Sequence, residues 1–426
     1  MDIREAAKAA KAASLKLAAV DSAKKNKALE EIASALSANK EAVIEANRED
    51  LERSEAENLS KPLLKRLKFD AGKINDVVQG IHSLIELEDP VGKTLMATQM
   101  DEGLELYRKS CPIGVIGVIF ESRPDALVQI ATLCLKSGNA VLLKGGREAS
   151  MSNKILSEII IRTSEGAGIP GGWMHLLETR EDVRGMLGMD GKIDLIIPRG
   201  SNDFVRYIMD NSSIPVLGHA DGVCHCYIDS HADLDMGVRV AVDSKVQYVA
   251  ACNTIETLLV HEDVAAEFLP MIKKNMDKHN VKLLGCEETR KHIDVGAAAE
   301  EDWKTEYLDT ILAVKVVRTL DEAVEHVNTY GSGHTDTIIT ENKERAEYFL
   351  NFVDSADVFW NCSTRFSDGF RFGFGAEVGI STNKLHARGP VGLEGLLTYK
   401  YLVLGTGQVV EDYARGIKAF THKDIQ

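Results

Sequence analysis

Ile113-Gly114-Val115-Ile116-Gly117-Val118-Ile119-Phe120 carries no polar side chain, and Glu121-Ser122-Arg123-Pro124-Asp125 follows it at once. Beyond that turn, Leu127, Ile130, Ala131, Cys134 and Leu135 recur at helical spacing until Gly138. A short, wholly apolar run reads as a strand buried on both faces, the habit of parallel sheets. A strand, a tight turn and an amphipathic helix in succession make the repeating unit of an α/β fold.

Working outward, the unit repeats. Ala140 to Leu143, Met174 to Leu177, Ile193 to Ile197 and Val223 to Ile228 read as further strands of this sheet, with a helix from Ser152 to Ser164. Such short connections between parallel strands predict a doubly wound domain with ligands at the carboxyl ends of its strands. The second half has the same grammar. Thr257 to Val260, Val281 to Leu284, Leu312 to Val317, Thr337 to Thr340 and Val358 to Trp360 are strands, separated by helices such as Val264 to Lys278 and Glu322 to Thr329. Upstream, residues 1 to about 90 are rich in Ala, Lys, Glu and Leu and read as successive helices, one of them starting at Ser60-Lys61-Pro62. Asp101 to Ser110 and Leu396 to Leu404 read as exposed strands, and Phe366 to Gly379 as a glycine- and phenylalanine-rich loop or irregular connection.

Composition narrows the function classes. With 426 residues the chain is expected to hold two or three domains. A formal charge of −15 argues against nucleic acid or an anionic membrane as the main partner, so any anionic ligand needs a local basic pocket. No apolar run approaches the ~20 residues of a membrane span, and Asp2 and Glu5 interrupt the lysines at the amino terminus. A soluble, cytoplasmic protein is expected. Seven scattered cysteines read as reduced thiols. Cys224 and Cys226 flank His225, but a single Cys-x-Cys on one face of a strand reads as packing, and no metal is expected.

One cysteine stands apart. Cys252 lies between Ala250-Ala251 and Asn253-Thr254, small and polar neighbours that leave a substrate room. If residues 253–256 opened a helical turn, its unpaired N–H groups would favour the thiolate and face a developing oxyanion. A small buried cysteine is the plainer alternative.

The motifs taken together resemble the gamma-glutamyl phosphate reductases of the aldehyde dehydrogenase superfamily. The matching blocks are Phe120-Glu121-Ser122-Arg123-Pro124-Asp125, Lys136-Ser137-Gly138-Asn139-Ala140, Leu143-Lys144-Gly145-Gly146, Pro198-Arg199-Gly200-Ser201-Asn202, Leu217-Gly218-His219-Ala220-Asp221-Gly222, Cys252-Asn253 with Glu256-Thr257-Leu258-Leu259, Tyr330-Gly331-Ser332-Gly333-His334-Thr335 and Ser363-Thr364-Arg365-Phe366. The resemblance implies an aldehyde dehydrogenase-like α/β architecture: two doubly wound domains and a small β-ribbon for oligomerisation. The expected division is a cofactor domain of residues 1–98 and 112–228, a catalytic domain of 229–376, and a ribbon and tail of 99–111 and 390–426.

That resemblance implies attack by a Cys252 thiolate on L-glutamyl 5-phosphate, loss of phosphate to leave a thioester, and reduction by NADPH to glutamate 5-semialdehyde, the second step of proline biosynthesis. Asn253 belongs to the same catalytic block. Val216 stands where hydrolytic relatives carry a water-activating glutamate, so the thioester is expected to persist until reduced. Arg123 stands where those relatives carry an oxyanion-stabilising asparagine, and would hold the acyl phosphate or its oxyanion; an arginine at a helix start paired with Asp125 is the alternative. For the cofactor, Lys144 matches an adenine-ribose contact, Arg147 favours the 2′-phosphate of NADPH, Gly200 and Ser201 match the pyrophosphate turn, and Glu306 matches a nicotinamide-ribose contact. Ser363, Thr364 and Arg365 would anchor the amino acid end of the substrate. His219, His334 and His386 are polar residues without an assigned role.

Two other chemistries stay open within the superfamily: coenzyme A-dependent acylation and a pyrroline-5-carboxylate dehydrogenase. From a different class comes a partner protein of glutamate 5-kinase, since that kinase supplies an unstable acyl phosphate; a kinase contact alongside catalysis and a homo-oligomer are further expectations.

Overall fold

A computed structural model describes residues 2–219 and 221–425; Met1, Ala220 and Gln426 lie outside the described residues. The chain opens with helices α1 (Ile3–Leu17), α2 (Ser22–Ala38), α3 (Lys40–Ala56), α4 (Lys61–Leu67) and α5 (Ala71–Glu86). Strands β1 (Thr94–Asp101) and β2 (Leu104–Pro112) follow, then β3 (Val115–Phe120), α6 (Pro124–Lys136), β4 (Ala140–Lys144), α7 (Ser150–Gly166), β5 (Met174–Leu177), α8 (Arg180–Leu187), β6 (Leu195–Arg199) and α9 (Asn202–Asn211). The second half runs β7 (Cys224–Ile228), α10 (Leu234–Val246), β8 (Ile255–His261), α11 (Glu262–Asp277), β9 (Lys282–Gly285), α12 (Thr289–His292), β10 (Gly296–Ala297), β11 (Ile311–Val317), α13 (Leu320–Tyr330), β12 (Thr335–Ile339), α14 (Lys343–Phe352) and β13 (Asp357–Trp360). A short pair β14 (Gly379–Ser381) and β15 (Gly389–Val391) precedes β16 (Leu397–Leu404) and β17 (Lys423–Asp424).

Two parallel sheets carry the fold. The first has the order β5-β4-β3-β6 and the second β10-β9-β11-β8-β7-β12-β13. Every residue of β3 and β4 is buried, the apolar run of each and also Lys144 at the end of β4. In the second sheet the two faces separate by residue parity. Cys224, Cys226, Ile228, Leu258 and Val260 pack with α10 and α11, while Tyr227, Leu259 and Val317 pack with α13 and α14. Helices on both faces remove the need for polar alternation. Among the described residues no helix is long and apolar enough to cross a membrane.

Three expected boundaries move. Residues 223–228 do not extend the first sheet: β7 lies between β8 and β12 in the second, so the continuous run of first-core residues stops near Leu217 and later segments rejoin it. An apolar run shows that a strand is buried without showing in which sheet. The ribbon begins at Thr94, ahead of the expected 99, and forms an antiparallel sheet of order β16-β2-β1-β17. Residues 390–396 are not tail, because Val391, Leu393 and Leu396 return to the first core.

Candidate active site

Three loops converge on Cys252. It ends the turn that leads into β8, His334 stands just before β12, and β7 lies between those strands, so both residues sit at neighbouring amino ends of one sheet. The expected helical turn at 253–256 is absent: Thr254 N–H donates to Ala251 O at 3.0 Å, its hydroxyl donates to Tyr248 O at 2.7 Å, and the chain passes directly into strand at Ile255. Thr257 and Leu258 already pair with His225 and Cys226 of β7, which holds this stretch extended. Gly222 packs against the other side of the turn. A Cβ there would lie 2.4 Å from Cys252 O and 2.6 Å from Glu306 Oε1, so only glycine admits this approach.

A histidine takes the place of a helix terminus beside the thiol. His334 Nε2 lies 3.1 Å from Cys252 Sγ, and its Nδ1 lies 2.7 Å from Thr335 Oγ1. The Thr335 hydroxyl also bonds the Asp357 carboxyl, its neighbour across the β12–β13 ladder. A carboxylate only accepts, so Thr335 donates to Asp357 and accepts from Nδ1–H, which leaves the Nε2 lone pair facing the thiol. This is the nucleophile, base and orienting group arrangement of activated cysteines. Burial pushes the Asp357 carboxyl up, opposed by the hydroxyls of Ser367 and Thr335 and by Arg388.

Around the thiol the charge is positive. Arg123 caps α6 and forms a long ion pair with Asp125 at 3.6 Å, leaving its side chain about half exposed. Arg199 ends β6 beside Phe120, and its side chain makes no hydrogen bond or ion pair among the described residues. Burial, then the neighbouring Arg123 charge, pull its pKa down, while Glu377, Asp125 and Cys252 oppose them. Arg365 donates from Nε to Gln247 Oε1 at 2.9 Å; burial and Arg371 lower it, and Cys252 again opposes. The Ser122 backbone between these elements is left-handed at φ 44°, held by Glu148 Oε1, which accepts from Ser122 N–H at 2.6 Å and Oγ–H at 2.7 Å. A non-glycine residue kept there stores strain that this carboxylate sustains.

The remaining expected residues divide. Asn253 is buried and its amide donates to Ser367 O at 2.6 Å, tying the 366–379 loop to the cysteine turn. Ser363 and Thr364 are buried, with Ser363 Oγ accepting from Ser244 Oγ at 3.1 Å, so of that trio only Arg365 remains partly exposed. Lys144 is buried at the end of β4 and donates to Gly145 O. Arg147 is 80% exposed in its side chain and pairs with Glu57 at 2.5 Å. Glu306 accepts from Asn202 at its Oε2 and from Gly222 N–H; burial nevertheless pushes it up.

Beside the first sheet lies a cleft of about 520 Å³ lined by Glu121, Glu181, Val183, Arg184, Phe204 and Tyr207. It adjoins the start of α9. A Cβ on Gly200 would come 2.9 Å from Phe204 and 3.2 Å from Glu121, and the Ser201 side chain makes no capping bond. A turn of small residues opening a helix beside a cleft is the kind of place where a phosphate group can approach the backbone. Glu121 accepts the Ser201 N–H, with burial first and Glu148 second pushing its carboxyl up.

A profile described as the aldehyde dehydrogenase family matches residues 1–302 and 297–380. The gamma-glutamyl phosphate reductase of Acetivibrio thermocellus is 66% identical over 425 residues, 100% of this chain and 99% of that protein. The same-named protein of Natronomonas pharaonis is 53% identical over 98% of this chain and 96% of its own length. A crystal structure of gamma-glutamyl phosphate reductase from Thermotoga maritima superposes with a TM-score of 0.94 at 42% identity, covering 96% of this chain and 100% of that one. The chain is a member of the gamma-glutamyl phosphate reductase family.

As an aldehyde dehydrogenase-type oxidoreductase, this reductase works with a nicotinamide cofactor. Sequence reasoning left four residues of the candidate site without a role: His334, His219, Arg199 and Glu121. Each lay inside a matched block, and His334 directly precedes a strand. A histidine's position in sequence carries no trace of which thiol it faces.

Proposed function

We propose that the chain reduces L-glutamyl 5-phosphate to L-glutamate 5-semialdehyde and phosphate with NADPH, through a thioester on Cys252, in the second step of proline biosynthesis. The observation that carries this reading is the 3.1 Å contact between Cys252 Sγ and His334 Nε2 in a chain that matches gamma-glutamyl phosphate reductases along its whole length. His334 accepts the thiol proton at Nε2, and the thiolate attacks the acyl carbon. Arg123, Arg199 and Arg365 receive the phosphate and the developing oxyanion, a demand that suits arginine's fixed fork of donors. The carbon–oxygen bond to phosphate breaks and a thioester forms. NADPH, when held by its cofactor-binding residues, would supply hydride to the thioester carbon, whose oxygen then takes up negative charge. A proton is needed as that oxygen becomes charged, and His334 still holds one. When the C–S bond then breaks, the hydroxyl proton returns to His334, the aldehyde leaves and the thiolate is restored.

Water is kept out of the sequence by what is missing. Val216 forms a backbone bridge with Ile196 and offers Asn383 its carbonyl, so no carboxylate is placed there to activate water. In this reading Asn253 is a positioning residue that holds the 366–379 loop over the thiol, and Ser363 and Thr364 support Arg365 from within the core. Gly200, Ser201 and Glu306 line the cofactor's path, with Lys144 and Arg147 towards its adenosine end. An engineered glycolyl-CoA reductase with bound NADP+ has a similar fold, with a TM-score of 0.64 at 13% identity. The Arg147 charge favours the 2′-phosphate once Glu57 gives way. The ribbon would join subunits, since Tyr399, Tyr401, Val403 and Leu404 of its edge strand β16 are exposed; transfer of the short-lived acyl phosphate from glutamate 5-kinase is compatible with this assembly.

The test runs the reaction backwards. The protein is given glutamate 5-semialdehyde in equilibrium with its cyclic imine and NADP+, with and without inorganic phosphate. Phosphate-dependent formation of reduced cofactor that disappears in Cys252→Ala is the expected result. Turnover without phosphate would overturn the reading in favour of a hydrolytic dehydrogenase, and turnover requiring coenzyme A would replace the acyl phosphate.

A further inference from the structure

The loops that place His334 against the thiol bring a second imidazole to it. One donor atom from each of His219, Cys252 and His334 lies within 4.8 Å of the other two. The two rings meet edge to face, with centroids 5.0 Å apart at 84°. His219 Nδ1 is 3.0 Å from Ile380 O. A carbonyl only accepts, so Nδ1 carries the proton and Nε2 the free lone pair. His334 is backed in the same way by Thr335 Oγ1. Ligating histidines are commonly oriented by an acceptor on the nitrogen that does not touch the metal.

We propose that His219, Cys252 and His334 form a reversible zinc site that switches the enzyme off by capping its nucleophile. Two imidazoles and a thiolate make a soft, three-ligand set of the kind zinc takes with a fourth position open to water or phosphate. Zinc–ligand bonds of about 2.0–2.3 Å place tetrahedral donors roughly 3.3–3.7 Å apart, so the trio closes on the ion by small side-chain rotations. As the Zn–S bond forms, the thiol proton passes to solvent and nothing is oxidised. The Glu306 carboxylate, close enough to feel the His219 charge, adds attraction for a dication. Arg199 and Arg365, which sense the Cys252 charge, weaken it. That balance suits an inhibitory ion and not a permanent one. His334 is fully buried whereas Cys252 and His219 are partly exposed, so the ion enters from the substrate side and competes with acyl phosphate.

Binding is read without substrate, so this inference can fail or stand apart from the reaction assigned above. The full-length, reduced protein is titrated with Zn2+ alone and the alkylation of Cys252 by iodoacetamide is followed by peptide mapping; Co2+ replaces zinc for absorbance. Expected are one tight equivalent of zinc, protection of Cys252 reversed by EDTA, and a thiolate-to-cobalt charge-transfer band absent from Cys252→Ala. His219→Gln should weaken zinc roughly 10- to 100-fold, while His219→Cys, which restores a soft ligand, should keep it. Unchanged zinc affinity in both His219 variants, no protection of Cys252, or a cobalt band that persists in Cys252→Ala would overturn the proposal.

Discussion

Cys252 and the pair Cys224 and Cys226 sit side by side, with Cys224 Sγ–H donating to Cys252 O at 3.2 Å, yet their sulfurs have opposite surroundings. Cys224 and Cys226 are fully buried on the same face of β7 in the second core, while His225 between them points to the other face and meets Asp336 at 2.9 Å. Burial in apolar surroundings pushes both thiols well up, so neither ionises readily. Cys252 is partly exposed and faces an imidazole lone pair. A cysteine's chemistry is therefore assigned by what its sulfur touches, and the Cys-His-Cys spacing that looks most like a ligand set in the sequence is the one that cannot converge.

That contrast can be broken in order of expected size. Cys252→Ala should lower kcat by at least about 10⁴-fold, whereas Cys226→Ala should keep the rate and cost roughly 1–3 kcal/mol of stability; paired assays of turnover and urea unfolding decide it, and comparable rate losses would erase the distinction. Beneath the cysteine turn, Lys245 and Glu256 form a wholly buried ion pair at 2.5 Å, and burial holds the Glu256 carboxyl up at about 7. Lys245→Met should destabilise the protein by about 3–5 kcal/mol, with much of this recovered in Lys245→Met/Glu256→Leu. Unfolding midpoints of the three proteins test this, and an additive double variant would show that the charges act independently.

If His334 is the base, His334→Gln should reduce kcat by about 10²- to 10³-fold with KM changed far less, and should slow alkylation of Cys252 by iodoacetamide as well. A variant that loses turnover while the alkylation of Cys252 is unchanged would make His334 merely structural. The smallest effect lies in the floor. His326 packs against the rings of His225, Trp303 and Tyr330 with Lys315 Nζ 3.1 Å from its Nδ1. Burial, then the His225 and Lys315 charges, pull its pKa from 6.5 to about 2. The folded state thus keeps it neutral, the unfolded chain protonates it below about pH 6.5, and stability falls as pH drops through that value. At pH 5.5 this one residue should cost about 1.4 kcal/mol relative to pH 7.5, a difference that His326→Asn removes. Equal urea midpoint shifts in both proteins would place the acid sensitivity elsewhere.

Much of the fold was legible because each buried parallel strand announces itself by continuous apolarity and each covering helix by its period. Met174–Leu177 is a strand at the residues expected, and the helix expected from Val264 to Lys278 spans Glu262–Asp277. For the candidate site, single residues such as Cys252 and Gly200 stood out in short motifs. The site was not legible where two loops meet: nothing in the order of residues says that His334 faces position 252, that Asn253 turns away to Ser367, or that residues 253–256 extend as strand.

By itself the sequence determined the class of fold and the family, and it singled out Cys252 among the cysteines, because local apolar period and short motifs are properties of neighbours in the chain. Only the tertiary structure decided which sheet receives Cys224–Ile228, which imidazole faces the Cys252 thiol, and which arginines surround it. These depend on strand order and on loops far apart in the chain, 82 residues in the case of Cys252 and His334, and an apolar strand satisfies either sheet equally until its edge partners are in place.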